Sequence, residues 1–166
     1  MLNIRQGKLQ DLKQIKDLAV SEWAKFKSEL TLENWEKLSH TLTNEKTYAD
    51  LILLSDSFVC ENNQGEIMGF GFLVSSGNPT EIYNNQQAYI RFVTVSKKYS
   101  GQKIGQTITE KCIEKAKENG ERLVALHTSE MMNAARHIYE KLGFKIIKQL
   151  EPRLGKIYWL YELELK

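Results

Sequence analysis

Three lysines and two glycines crowd one short stretch, Lys97, Lys98, Gly101, Lys103 and Gly105 in VSKKYSGQKIG, where an apolar run ends and a helical pattern starts. Backbone N–H groups in the first turn of a helix find no acceptor within it, and the helix dipole makes that end positive. Glycines let the main chain approach a ligand closely, and the lysines add charge. A loop of this kind suits a phosphate or pyrophosphate; the alternative is a solvated basic turn ahead of a helix. Neither GxxxxGK[ST] nor GxGxxG is present, so the loop is not one of the two common nucleotide-phosphate motifs. Tyr139 falls on an amphipathic helical pattern, where an aromatic residue is ordinarily core packing. Cys60, Cys112, His40, His127 and His137 lie scattered without metal-ligand spacing, so no metal site is expected.

The elements that must position these residues follow from periodicity and turn chemistry. Asn3 to Gln6 reads as a first strand. Leu9 to Leu30 and Thr31 to Thr43 show helical spacing, with Leu12, Ile15, Leu18, Ala19 and Trp23 on one stripe and Thr31 as a cap. Phe58 to Glu61 and Ile67 to Ser75 flank Asn62-Asn63-Gln64-Gly65, a β-hairpin signal. Gln87 to Ser96 is a strand rich in β-branched and aromatic residues. Ile104, Ile108, Cys112 and Ala116 then recur every four residues, and Gly120 stops that helix. Arg122 to His127 is an apolar strand, Ser129 is placed to cap a helix ending at Gly143, and Phe144 to Leu150 and Lys156 to Leu163 close the chain as strands. The order is strand, two helices, three strands, helix, strand, helix, two strands. Strand–helix–strand in the middle requires a right-handed crossover and a locally parallel pair, which makes the class α/β or α+β with a mixed sheet.

Composition narrows the function classes. The chain has 166 residues, 42% hydrophobic and 27% charged, with a formal net charge of +2. That is one globular domain's worth of chain, 1–166, and a charge too small to point to nucleic acid. Its longest apolar runs, such as Leu51 to Leu54 and Phe70 to Val74, are too short to cross a bilayer, and MLNIRQGKLQDL has no secretory pattern. Two isolated cysteines fit a reducing, cytoplasmic setting.

The stretch VTVSKKYSGQKIGQTITEKCIEKA resembles the cofactor-binding motif of the GNAT superfamily of acyl-CoA N-acyltransferases. That pattern is Arg or Gln, two residues, Gly, one residue, then Gly or Ala, between a strand and a helix. Further on, MNAARHIYEKLGFKII resembles the helix and strand that carry the family's tyrosine, with the strand ERLVALHT between the two matches. The resemblance covers about residues 87 to 150. It implies a GNAT-like mixed, centrally splayed sheet of about seven strands flanked by about four helices. It also implies acetyl-CoA as co-substrate without a metal, and acetyl transfer to a primary amine by direct attack. The acceptor would be a small-molecule or peptide amine, with no role for nucleic acid or membrane; a homodimer is left open.

Carried over by position, the resemblance gives Ser100, Gly101, Gln102, Lys103, Ile104, Gly105 and Gln106 to the pyrophosphate of coenzyme A. It gives the main chain of Val93 and Val95 to the pantetheine arm, and Tyr139 to the departing thiolate. The chain departs from the pattern in three places. Ser100 stands where the family has Arg or Gln, and Lys103 stands where it has its first Gly. The family's cofactor-contacting Asn aligns with Met132, while Asn133 is one step off. Seven residues are nearly two helical turns, so Met132 and Tyr139 share a face and Asn133 is rotated by about 100°. A base to take the amine's proton is harder to name: the family's frequent Glu is Tyr89 here, which leaves Glu81, Glu130, His127 or a water relay. Trp23, Phe26, Trp35 and Tyr83 fall in segments that border the acceptor cleft in relatives, which implies an aromatic-walled pocket, with core packing an equal alternative for the tryptophans. A catalytically inactive acyl-CoA-binding module that senses its ligand is the competing function, and a plain nucleotide-phosphate binder a third.

Overall fold

Seven strands make one sheet in the order β1-β2-β3-β4-β5-β7-β6 in the computed structural model, which describes residues 2–166. The strands are β1 Asn3–Gln6, β2 Asp56–Glu61, β3 Ile67–Val74, β4 Ala88–Val95, β5 Leu123–Ser129, β6 Lys145–Gln149 and β7 Tyr158–Glu164. The helices are α1 Leu12–Trp23, α2 Leu32–Leu42, α3 Glu45–Leu54, α4 Ile104–Glu118 and α5 Asn133–Lys141. β1 to β4 form an antiparallel meander, β5, β7 and β6 a second antiparallel unit, and the expected parallel pair joins them at β4 and β5. The mixed α/β architecture is the one expected.

β3, IMGFGFLV, is buried along its whole length because both faces are covered. Phe70 and Phe72 point to a cluster with Ile15, Ala19, Leu42, Tyr48 and Ile52 from α1, α2 and α3. On the other face the stripe Ile104, Ile108, Cys112 and Ala116 of α4 is fully buried. It sits so close that a Cβ on Gly69 would meet Ile104 at 2.8 Å, and one on Gly71 would meet Ile108 at 2.8 Å. The hairpin turn forms as its residues require: Asn62 Oδ1 accepts from the N–H of Gln64 and of Glu66, and Gly65 takes φ +79°.

Three expectations need correction. The helix expected over Leu9 to Leu30 is α1 between two 3₁₀ stretches, Leu9–Asp11 and Ala24–Glu29. Past Trp23 only Phe26 is buried, and a spacing of three suits the tighter helix, which sets the two rings edge to face at 5.5 Å. α3 was absent from the expected order. Its apolar run Leu51–Leu54 lies on two faces, Leu51 and Ile52 buried but Leu53 and Leu54 exposed, which hides the helical period. Ser129 ends β5 and accepts from the N–H of Met131, making a turn, whereas α5 starts four residues later with Met132 as its N-cap.

Candidate functional site

β4 and β5 pair only at Ala88↔Val124 and Tyr89↔Ala125, and beyond Tyr89 no ladder joins them among the described residues. The next residues of β4 carry a bulge: Arg91 faces Phe72 and Thr94 faces Phe70, so Phe92 and Val93 oppose Gly71 alone. Phe92 takes φ +57°, costly for an aromatic residue, and its carbonyl accepts from Thr94 Oγ1 at 2.9 Å. The bend therefore begins where β4 has already parted from β5. Main-chain donors and acceptors on that edge of β4 face a cleft.

Two adjoining cavities of about 450 and 400 Å³ fill the cleft, and Trp23, Val93, Met132 and Ala135 line both. The smaller also takes in Val95, Asn133, Phe26 and Glu22. The larger runs between α2 and the segment 150–157 before β7, past Arg91, His127 and Tyr139. Of the residues singled out from sequence, Val93, Val95, Met132, Asn133 and Tyr139 thus meet in one cleft. Met132 lies just outside α5, so its place follows from the cap and not from a shared helical face; Thr128 Oγ1 donates to its sulfur at 3.3 Å. Asn133 is exposed on the first turn, where its Oδ1 accepts from Arg136 Nη1 at 3.4 Å.

The glycine–lysine loop follows the end of β4 and lines neither cavity. Ser100, Gly101, Gln102 and Lys103 are exposed there. Gly101 takes φ +83°, and Lys103, the N-cap of α4, takes φ +59°, the left-handed conformation glycine adopts with least strain. Lys103 stands where the family pattern has its first Gly, so backbone and alignment agree at that position. Ile104 offers only its main chain, since its side chain is buried with Cys60, Met68 and Ile108. Gly105 faces the cleft side: a Cβ there would meet Val95 at 3.4 Å and Ile138 at 3.7 Å. Gln106 is held on α4, donating to Glu110 at 3.0 Å and accepting from Lys141 at 3.4 Å.

Tyr139 is 8% exposed, its ring edge-on to Phe144 at 5.9 Å. Burial pushes the phenol above its ordinary value, with Cys112 adding to the effect, so it stays protonated. It packs and also lines the larger cavity, so both of its readings apply to different atoms.

The base candidates separate clearly. Tyr89 is buried, stacks on Tyr83 at 4.1 Å and lines neither cavity. Glu81 is exposed and pairs with Arg153 at 3.0 Å, and Glu130 is exposed outside the cleft. His127 lines the larger cavity, but burial, with Arg153 and Arg91 contributing, pulls its pKa down to about 4. Its Nδ1 meets the hydroxyl of Tyr83, a phenol that burial keeps protonated. Which of the two donates follows the ring's tautomer. With its pKa held that low, the ring is neutral and a weak base at ordinary pH. Of the expected aromatic wall, Trp23 and Phe26 line the cleft, Tyr83 backs it through His127, and Trp35 stands outside it.

Sequence reasoning passed over Arg91. Its signal was a lone charge in the otherwise uncharged strand QAYIRFVTV. The guanidinium lies 4.7 Å above the Phe92 ring and lines the larger cavity with Lys37 and Arg153, while no Asp or Glu among the described residues lines it.

The Acetyltransferase (GNAT) family model matches residues 13–144. Compared by sequence with curated proteins, the chain has no match. Among solved structures it is similar to the PaiA N-acetyltransferase of Thermoplasma acidophilum in complex with coenzyme A, at 16% identity and TM-score 0.80 over 99% of both chains. An N-acetyltransferase of Staphylococcus aureus Mu50 shares 22% identity at TM-score 0.75, over 100% of this chain and 99% of that one. The ribosomal-protein-S18-alanine N-acetyltransferase of Escherichia coli shares 18% at TM-score 0.70, over 99% of this chain and 94% of that one. At these identities the likeness is one of fold.

Proposed function

The chain belongs to the acetyltransferase (GNAT) family, and on that premise we propose that it transfers an acetyl group from acetyl-CoA to a primary amine by direct attack of the amine. The observation that carries this reading is the split between β4 and β5, with Val93, Met132 and Tyr139 gathered in the cleft it opens. The residues present fit the co-substrate. Beyond Tyr89 the edge of β4 offers free main-chain groups of the kind an extended pantetheine arm pairs with, and Val93 and Val95 are the assigned partners. The loop from Ser100 to Lys103 and the first turn of α4, Ile104 to Gln106, are assigned to the pyrophosphate, with Lys103 as a point charge in place of the family's arginine fork. Met132 and Asn133 flank the same arm.

Acetyl-CoA supplies the acetyl group as a thioester. Tyr139 then has one task, to give its proton to the sulfur as the carbon–sulfur bond breaks and the amine nitrogen takes the acetyl group. The attacking amine loses its own proton to water, because no carboxylate of the described residues lines the larger cavity and burial leaves His127 a weak base. The acceptor is a small-molecule or peptide amine; the named E. coli neighbour acts on a ribosomal protein's alanine. No described helix is long and apolar enough to cross a membrane. The proposed setting is the cytoplasm, in keeping with two buried free cysteines.

The missing carboxylate base favours one competing reading, a module that binds acyl-CoA without turning it over. Free thiol released from acetyl-CoA in the presence of polyamines, amino acids, aminoglycosides and peptide N-termini tests the proposal. Release with at least one amine supports transfer. Tight binding of coenzyme A with no release from any amine supports the sensing module.

A further inference from the structure

The larger cavity is cationic, and one of its cations has no counter-charge. Arg153 is paired with Glu81 at 3.0 Å, and Lys37 sits exposed at the rim, 3.5 Å from Glu33. Arg91 differs. It rises from β4 two residues past the last β4–β5 pair, directly into the cleft. The groups that act on it are Tyr83, Tyr89, Tyr48 and Arg153, none of them a carboxylate, and its guanidinium makes no hydrogen bond or ion pair with a described side chain. A guanidinium withdrawn from water without an anion is unfavourable, because the protein does not replace the solvation it has lost. It becomes favourable once a planar anion takes its fork of N–H donors. His127, in contact with the Tyr83 hydroxyl, lines the same wall.

We infer that the acceptor is an amine that also carries an anionic group, a carboxylate or a phosphate, which Arg91 receives with Arg153 and His127 beside it. The inference rests on the acetyl-transfer reading and names the substrate class of the same cleft. It runs against a polyamine seated in the larger cavity, since a polycation there would meet three cations and no described carboxylate, Glu22 and Glu29 lying on the smaller cavity. The arrangement also accounts for the lack of an acidic base: a carboxylate near Arg91 would pair with it and compete with the substrate's anion.

The test is a matched panel. Standard L-amino acids are compared with their amides, O-phosphoethanolamine with ethanolamine, and spermidine serves as the cationic arm, all read by thiol release from acetyl-CoA. At least one acid is expected to exceed its neutral partner and spermidine at least tenfold in kcat/KM. Whether that acid is a carboxylate or the phosphate separates the two sources of the anion. Arg91→Gln should remove the advantage of the acid over its partner, and Arg91→Lys should restore part of it, while calorimetric affinity for acetyl-CoA holds. If Arg91→Gln fails to fold, Arg153→Gln, on the segment before β7, is expected to narrow the same ratio at least threefold. Neutral or cationic amines acetylated as well as every acid would overturn the inference. So would an acid preference that neither arginine variant changes. Should no amine release thiol, the same acids are titrated into the coenzyme A–loaded protein. Heat that Arg91→Gln abolishes keeps the anion subsite while the transfer reading fails, and no heat with any acid overturns the subsite too.

Discussion

Tyr139 and His127 face the same cavity, and burial acts on them in opposite chemical directions. For Tyr139 it holds the proton on, as a proton donor to sulfur needs. The hydroxyl makes no hydrogen bond with a described side chain, so removing it leaves none of them unsatisfied. Tyr139→Phe should therefore lower kcat about 100-fold, the range for a positioned general acid, while acetyl-CoA affinity and thermal stability barely move. A loss of activity that only tracks a loss of stability would make the residue core alone. For His127 burial keeps the proton off. The unfolded ring takes up a proton near the ordinary imidazole value of 6.5, and the folded one resists until about 4. Between those values the unfolded state binds more protons, so stability falls as pH falls through the window. The loss should reach on the order of 2 kcal/mol, discounting for the ring's partial exposure. Melting His127→Gln beside the parent from pH 6.5 to 5 checks this, because the variant should lack that part of the slope. Parallel curves would mean the imidazole titrates as if in water.

Among the elements, α4 shows how much local chemistry a sequence displays. Its apolar stripe at every fourth residue, its stop at Gly120 and its junction with β4 were all readable, since a helix laid on a sheet must repeat its buried face. α3 was not, because its apolar run wraps onto an exposed face and only packing decides which side is inside. The bulge in β4 was hidden too, for nothing in RFVTV requires Phe92 to turn left-handed; the close seat of α4 over Gly71 shows only in the assembled sheet. Of the cleft, the residues that carry motif letters were legible. Arg91 and the Tyr83–His127 pair were not, because the first takes its meaning from the cleft around it and the second joins residues 44 positions apart. The Lys103 cap lies between these cases: alignment put it at a glycine position and the backbone gives it φ +59°. Lys103→Gly should relieve the left-handed strain and raise unfolding free energy by up to about 1 kcal/mol in a denaturant titration. It should also weaken coenzyme A binding by a similar amount if the ammonium meets a phosphate. A clear loss of stability would show that the lysine side chain holds the loop by contacts worth more than the strain.

At the scale of the whole molecule, the sheet is two antiparallel units joined by two residue pairs at β4 and β5. Beside that seam the halves are tied by a shared core, in which Leu73, Ala88 and Ile90 pack with Val124, Leu126 and Tyr161, by α4 and α5, and by whatever lies in the cleft between them. A ligand that pairs with β4, touches α5 and caps α4 would join both units, and binding of that kind stabilises the folded state by mass action. Acetyl-CoA at about 100 times its Kd should contribute roughly 2.7 kcal/mol. For a chain of 166 residues that is a rise in Tm of about 5–10 °C. Gly105 decides whether the rise comes from the assigned place. A methyl group there meets Val95 and Ile138 at ordinary contact distance, so Gly105→Ala should fold and keep most of the shift. Gly105→Glu sets a longer, negatively charged side chain on the same cleft-facing side, at the helix end assigned to the pyrophosphate, and should lose the shift. A Gly105→Glu protein that folds and still gains the full rise would move the phosphates away from α4, while leaving the split between β4 and β5 to be filled from another direction.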